Sequence, residues 1–284
     1  MYRLPSAEEA DVIRARAEAI RLRSVETIAP HGLGYLGQAL SSAELVATLF
    51  AAYQPGQDTF VCSPGHYIIA VYACAMETGL IEPSLASTYG CNGSDLEAIG
   101  TEKAPVVDYV CGSLGQGLSA AVGFAMADKL GARDAAVYAL VSDGEMEEGQ
   151  LWEAAMFASH HGLNNLVVFL DANNSQVDGQ VTSVTTIEPI ADKWRAFGWN
   201  TVEVDGHDVN AVISGLHEVT GKGRPSVLIG RTSTVHGISS LKDVTDGHFI
   251  KIDSEGARKA SDEIKARLAN LRYRGPETAF VATS

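Results

Sequence analysis

The chain has 284 residues, 46% hydrophobic and 20% charged, with a formal net charge of −14. That length is enough for one large α/β domain over 1–284, and the acidic balance excludes a general nucleic-acid binder or a partner of anionic membranes. The four cysteines, Cys62, Cys74, Cys91 and Cys111, form no CxxC pair, so they read as reduced core thiols of a cytoplasmic protein rather than a disulfide frame or zinc site.

In chain order, the N-terminus has no apolar signal core and reads as a surface helix over 6–28, with Ser6 as cap and Glu9 three residues on. A second helix is expected over 41–52, with Ser41 capping and Glu44 completing the box. A third segment, 63–79, starts at a turn and runs apolar, and 114–130 is a small-residue helix suited to close packing on a sheet. Strands are expected near 136–141, 165–171, 200–204 and 226–231, and helices over 150–161, 188–197 and 208–221. Alternating strands and helices imply a doubly wound, mostly parallel α/β sheet with helices on both faces. The segment 232–249 lacks periodicity and reads as an active-site loop. Residues 275–284 read as a tail or partner contact, and no apolar run approaches the ~20 residues that span a bilayer.

The chemistry concentrates between Ser142 and Gly179. The apolar run ending at Val141 leads into the acidic turn Asp143-Gly144-Glu145, and the run Leu166–Leu170 leads into Asp171-Ala172-Asn173-Asn174. Two strands that each end in oxygen ligands, joined by a helix, suit a Mg²⁺-held diphosphate. Mg²⁺ takes oxygen ligands and substrate phosphate, and in parallel sheets such ligands gather at the carboxyl ends of strands. Polar strand-end turns without a ligand are the bland alternative, because Asp and Asn favour turns anyway.

This arrangement resembles the thiamine-diphosphate motif and, more narrowly, the N-terminal half of a transketolase. The pattern GDGExxEG stands here as Ser142-Asp143-Gly144-Glu145-Met146-Glu147-Glu148-Gly149. Gly112-Ser113-Leu114-Gly115-Gln116-Gly117-Leu118-Ser119 matches the GSLGQGLS form of two-subunit transketolases, Ser63-Pro64-Gly65-His66 the family's Ser-x-Gly-His, and Asp205-Gly206-His207-Asp208 a later landmark. The resemblance implies thiamine diphosphate and Mg²⁺ (or another divalent cation such as Ca²⁺ or Mn²⁺) as cofactors. The metal would be held by Asp143, Asn173 and the backbone carbonyl of Ser175. Gly112, Leu114, Gly144, Glu145, Asn173 and His66 would contact the cofactor. His66, Glu148 and His248 would be the catalytic set, with His236 the alternative loop histidine. The carboxylates of Glu145 and Glu147 read as a solvated helix face, while Glu148, one turn into the helix, would face the catalytic Glu of a partner chain. That Glu belongs to a pyrimidine-binding unit not found in this sequence. A split enzyme follows: its partner would be a C-terminal transketolase-like subunit, its assembly an α2β2 heterotetramer, and its reaction the transfer of a two-carbon ketol unit from a ketose.

Two family histidines are missing. Tyr35 stands in Gly34-Tyr35-Leu36-Gly37 where a donor-binding His is expected, and Ala98 and Ile99 fill the second position. The loss suggests altered handling of the sugar. An E1-like component that passes its two-carbon unit to a lipoyl or carrier-protein arm is the alternative. A non-catalytic subunit is disfavoured by the intact Asp143, Asn173, Glu148 and His66. A nicotinamide dehydrogenase is disfavoured because the 112–117 loop reads GxxGxG, not GxGxxG. His160 and His161 read as helix-end groups, His31 as exposed and His207 as structural.

Overall fold

The computed structural model describes residues 2–244 and 247–271. Its strands are β1 (Leu33–Gly34), β2 (Thr59–Pro64), β3 (Tyr109–Cys111), β4 (Val137–Ser142), β5 (Leu166–Ala172), β6 (Asn200–Asp205), β7 (Ser226–Arg231) and β8 (Ile250–Lys251). Its helices are α1 (Ala10–Ile28), α2 (Leu36–Ser41), α3 (Ala43–Ala52), α4 (Ile68–Glu77), α5 (Gln116–Leu130), α6 (Gly149–His160), α7 (Val181–Val184), α8 (Ile190–Ala196), α9 (Val209–Val219) and α10 (Ser254–Asn270). Six strands form a parallel sheet in the order β3-β2-β4-β5-β7-β6, and β1 pairs antiparallel with β8.

The side-chain alternation of a strand sends successive residues to opposite faces, and both faces here are covered. On β4, Tyr138 and Leu140 join the core built with α1, α3, α4 and α9, while Val137, Ala139 and Val141 join the core built with α5, α6 and α8. This is why β4 and β5 read as unbroken apolar runs. From β2 the chain goes outward to β3 and then crosses back to β4 on the other side. The sheet therefore reverses direction between β2 and β4, where ligands of open α/β sheets bind.

The doubly wound fold is as expected, but several elements differ. The N-terminal helix is not a surface helix: Ile13, Ala17, Ile20, Arg21, Val25 and Ile28 are buried, because α1 is packed by α3 and α4 on one side and α10 on another. It begins at Ala10, after a 3-10 turn over Ala7–Glu9 that keeps the expected link from the Ser6 N–H to the Glu9 carboxylate at 2.8 Å. The second predicted helix is two helices, α2 and α3, with Ser42 at the junction. Ser41 does not cap; its hydroxyl donates to Asp171 Oδ2 at 2.5 Å. Glu44 likewise does not complete a box, and pairs instead with Arg21. Strands β2 and β3 and helix α10 are additions. The loop over 232–249 contains one short 3-10 turn, Ser239–Leu241, and the tail at 275–284 lies outside the described residues.

Candidate active site

The carboxyl ends of β2, β3, β4, β5 and β7 converge on one cleft. Asp143 follows β4 and is 2% exposed. Its Oδ1 accepts from the Gly144 N–H at 2.9 Å and its Oδ2 from the Asn174 N–H at 2.6 Å. Asn174 can offer that N–H because its backbone turns back with φ 55°, a left-handed conformation that Asn tolerates better than most residues. The turn after β5 thus folds onto the turn after β4. Asn173 is itself buried, and its Oδ1 accepts from the Ser175 N–H at 2.9 Å.

Asp171 organises this turn, a role the sequence does not announce. Its carboxylate is fully buried and accepts from Ser41 Oγ, from Tyr67 OH at 2.9 Å, from Asn173 Nδ2 at 2.9 Å and from Thr232 Oγ1. With its Nδ2 thus committed, Asn173 has its Oδ1 end fixed toward the turn. The available signal is the spacing: Asp171 and Asn173 are two apart at a strand end, hence on one face.

Glu145 corrects the expectation of a solvated carboxylate. It is fully buried. Its Oε1 accepts from Ser63 Oγ at 2.6 Å and the Gly115 N–H at 2.9 Å, and its Oε2 from the Ser142 N–H at 3.2 Å. One carboxylate therefore ties the ends of β2 and β4 to the 112–115 loop at the point where the sheet reverses. Burial pushes its acid up to about 7. Glu147 is exposed, as expected, and so is Glu148. Glu148 sits at the N-cap of α6 rather than one turn inside it, because Gly144–Glu147 is a 3-10 turn.

The cleft, of about 380 Å³, is lined by Tyr35, His66, Ile99, Gly112, Leu114, Gly144, Glu147, Glu148, Gln176, Val177, Asp178 and His248. Of the predicted site residues, His66, Gly112, Leu114, Gly144, Glu148 and His248 line it directly. Asn173 and Ser175 line an adjoining cavity of about 460 Å³, and Asp143 lies beneath the shared turn. His66 and His248 face each other with ring centroids 5.0 Å apart, and Tyr35 packs 5.1 Å from His66 and 5.7 Å from His248. Burial and the neighbouring His248 hold the His66 imidazole down to about 3, so it is neutral at ordinary pH. The other loop histidine, His236, stacks on His207 at 3.5 Å, away from the cleft. His207 is structural as expected: its Nε2 accepts from the Ser233 N–H at 2.8 Å and its Nδ1 faces Glu44 at 3.2 Å. With its Nε2 taken by the Ser233 N–H and its Nδ1 by Glu44, His207 has no ring nitrogen left to ligate a metal beside the nearby Glu44 and His236.

The donor set at the strand ends fits a hard divalent cation. Asp143 is buried beside a second buried carboxylate, and burial followed by repulsion from Asp171 pushes its acid up to about 7. A carboxylate offers about four lone-pair sites, and the two N–H donors leave room for a cation. Gly144 leaves space above this position: a Cβ there would meet Gln176 only at 3.6 Å. Ser142, at the place of the motif's first glycine, is accommodated at the end of β4, where its N–H is held by Glu145.

Residues 12–282 match the family described as transketolase, thiamine diphosphate binding domain. The chain is 34% identical over 264 residues to the 6-deoxy-6-sulfo-D-fructose transketolase subunit of Clostridium sp. (strain MSTE9), covering 89% of this chain and 96% of that one. It is 31% identical over 274 residues to an apulose-4-phosphate transketolase subunit of Phocaeicola vulgatus, covering 93% and 97%. Among solved structures, the transketolase of Campylobacter jejuni superposes with a TM-score of 0.82 at 24% identity, over 92% of this chain and 45% of that one. The chain thus spans about half the length of that transketolase and nearly all of the two subunits. It belongs to the transketolase family, as a thiamine diphosphate binding domain of that family.

Proposed function

We propose that this chain is the diphosphate-binding subunit of a two-chain transketolase that moves a two-carbon ketol unit from a ketose with thiamine diphosphate and a divalent cation. The observation that carries this is the buried Asp143 clasped by the Asn173–Ser175 turn at the ends of β4 and β5. Asp143, Asn173 and the Ser175 carbonyl would hold Mg²⁺, or Ca²⁺ or Mn²⁺ in its place, and Gly112, Leu114 and Gly144 would approach the diphosphate. When bound, thiamine diphosphate supplies the centre that accepts the electron pair of the cleaved C–C bond.

This chain's residues position that centre. Glu145 keeps the 112–115 loop, the Ser63 end of β2 and the Asp143 turn at fixed spacing. His66 is kept neutral by burial, so it can donate or accept a hydrogen bond without carrying charge. Glu148 is exposed at the cleft mouth. There, at an α2β2 interface, it would meet the catalytic glutamate of a C-terminal transketolase-like partner. Tyr35 and Ile99 line the cleft wall where the family resemblance leads one to expect imidazoles, which favours a donor or acceptor that differs from the ordinary pentose-phosphate sugars. Two relatives named for unusual sugars support that direction.

The test is cofactor titration and product analysis with the chain assembled on its partner. Metal-dependent binding of thiamine diphosphate and two-carbon transfer support the reading. Full rates on common ketose phosphates would sink the altered-sugar part, and no binding with or without partner would sink the whole.

A further inference from the structure

Gln38 lies in α2 and is fully buried. Its Nε2 stands 2.7 Å from His248 Nδ1. An amide nitrogen only donates; with that end of Gln38 on the imidazole, Nδ1 is the acceptor, and a singly protonated ring then carries its proton on Nε2. The other end of the amide, Oε1, has no hydrogen-bond partner among the described residues. An unpaired buried oxygen is destabilising, and an apolar side chain of similar length would pack without it. The contact with His248 is what accounts for an amide here. The surroundings hold it in place. A Cβ on Gly37 would come within 1.8 Å of the Gly247 carbonyl oxygen, so the backbone preceding His248 is seated directly on α2. Tyr35, just before α2, packs on the same imidazole. Gln38 does not line the cleft, whereas His248 does.

We propose that Gln38 is a positioning residue that fixes His248 as its Nε2–H tautomer, so that the ring edge away from Gln38 offers a donor to a carbonyl or hydroxyl oxygen of a ketose-class substrate. The substrate-facing half of this rests on the transketolase reading of the cleft; the tautomer half does not. Histidine in solution exchanges between two neutral forms, and only one presents a donor at a given edge. A packed amide nitrogen selects that form without adding charge beside His66.

The experiment is nitrogen NMR on the full chain labelled with ¹⁵N-histidine, with His248 assigned by loss of its signals in His248→Asn. The expected result is an unprotonated Nδ1 and a protonated Nε2. Gln38→Glu, which turns the donor into an acceptor, should put a proton on Nδ1, as the inverted neutral tautomer or as an imidazolium paired with the carboxylate, and Gln38→Met should give a mixture. A protonated Nδ1 in the unmodified chain, or the same tautomer in Gln38→Glu, would overturn the proposal. If Gln38→Met does not fold, these two samples still decide. With the partner assembled, kcat should fall about a hundredfold in Gln38→Glu, the scale of one lost acid–base contact, with the affinity for thiamine diphosphate unchanged. An inverted tautomer with unchanged kcat would remove the substrate-facing half. Failure of the cofactor to bind at all would instead refute the transketolase reading and leave the tautomer assignment standing.

Discussion

Two clusters of buried carboxylates in this chain have opposite electrostatic balance. In the first, Glu18 and Glu44 flank Arg21, which is fully buried and contacts Glu44 at 2.5 Å and Glu18 at 3.2 Å. Burial disfavours the Glu44 carboxylate too, yet Arg21 and His207 hold its acid down to about 2. In the second, Asp143 and Asp171 are equally buried, and the groups that bond to them are hydroxyl, amide and backbone N–H donors rather than basic side chains. Asp143 is pushed up to about 7. The first cluster is neutralised from within and joins α1 to α3, with Arg267 of α10 on Glu18. The second is short of a cation. A buried arginine serves one cluster, and hydrogen-bond donors alone serve the strand ends; that difference is the basis for the cation we propose at the second.

The contrast can be broken at either end. Arg21→Met should be the most damaging change, about 3–5 kcal/mol of unfolding free energy, because it strands Glu44 as a buried unpaired charge; urea titration of the chain measures it. Asp143→Asn relieves the repulsion from Asp171 but leaves one of the Gly144 and Asn174 N–H donors without an acceptor, so the metal-free chain should lose at most about 1–3 kcal/mol by the same titration, while thiamine diphosphate affinity in Mg²⁺ falls by more than about a hundredfold. A loss of stability in Asp143→Asn as large as that in Arg21→Met would put the two clusters in one class. Glu145→Gln is comparable: one acceptor oxygen cannot serve Ser63, Gly115 and Ser142 together, so about 1–3 kcal/mol should be lost, with a weaker cofactor site. His66→Asn should lower kcat at least about tenfold with cofactor affinity unchanged.

The comparison is sharpened through pH. His66 is held near 3, below its ordinary 6.5, so between those values the unfolded chain takes up a proton that the folded chain refuses. His66 therefore contributes a loss of stability as pH falls from about 6.5 toward 3, at roughly 1 kcal/mol per pH unit, while Asp143 and Glu145, raised to about 7, contribute in the opposite sense as pH falls below 7. Glu44 adds a loss in the same direction below 4.5. Thermal melts of His66→Asn beside the unmodified chain should differ at pH 5 and converge at pH 8.

Much of this is legible in the sequence. The apolar runs of β4 and β5 are continuous because both faces are buried, and their ends carry Asp143 and Asn173 in plain view. What the sequence hides depends on contacts far apart along the chain. Asp171 gathers Ser41, Tyr67 and Thr232 from 130, 104 and 61 positions away, so its charge-bracketing role has no local signature. Glu145 looks like one more acid of a helix face. Only the return of the 112–115 loop and the Ser63 end of β2 bury it. Ser41 looks like a cap because a serine and a glutamate three residues on suit a helix start, but a preceding helical turn, α2, already occupies that place. Strand β3 has only three residues and β2 is mixed in composition, and the sheet around them, not their own propensity, makes them strands. Spacing cannot choose between His236 and His248; the structure puts only His248 against His66.

Whether the turn joining Asp143 to Asn173 is a cation site for a diphosphate can be read directly from crystals grown with Mn²⁺, thiamine diphosphate and the partner subunit, in which the metal is located by its anomalous scattering. A single strong peak is expected within coordination distance of an Asp143 carboxylate oxygen, Asn173 Oδ1 and the Ser175 carbonyl, with diphosphate oxygens completing the shell. A metal seated elsewhere, or diphosphate bound without one, would show that the buried carboxylates at these strand ends serve some other purpose.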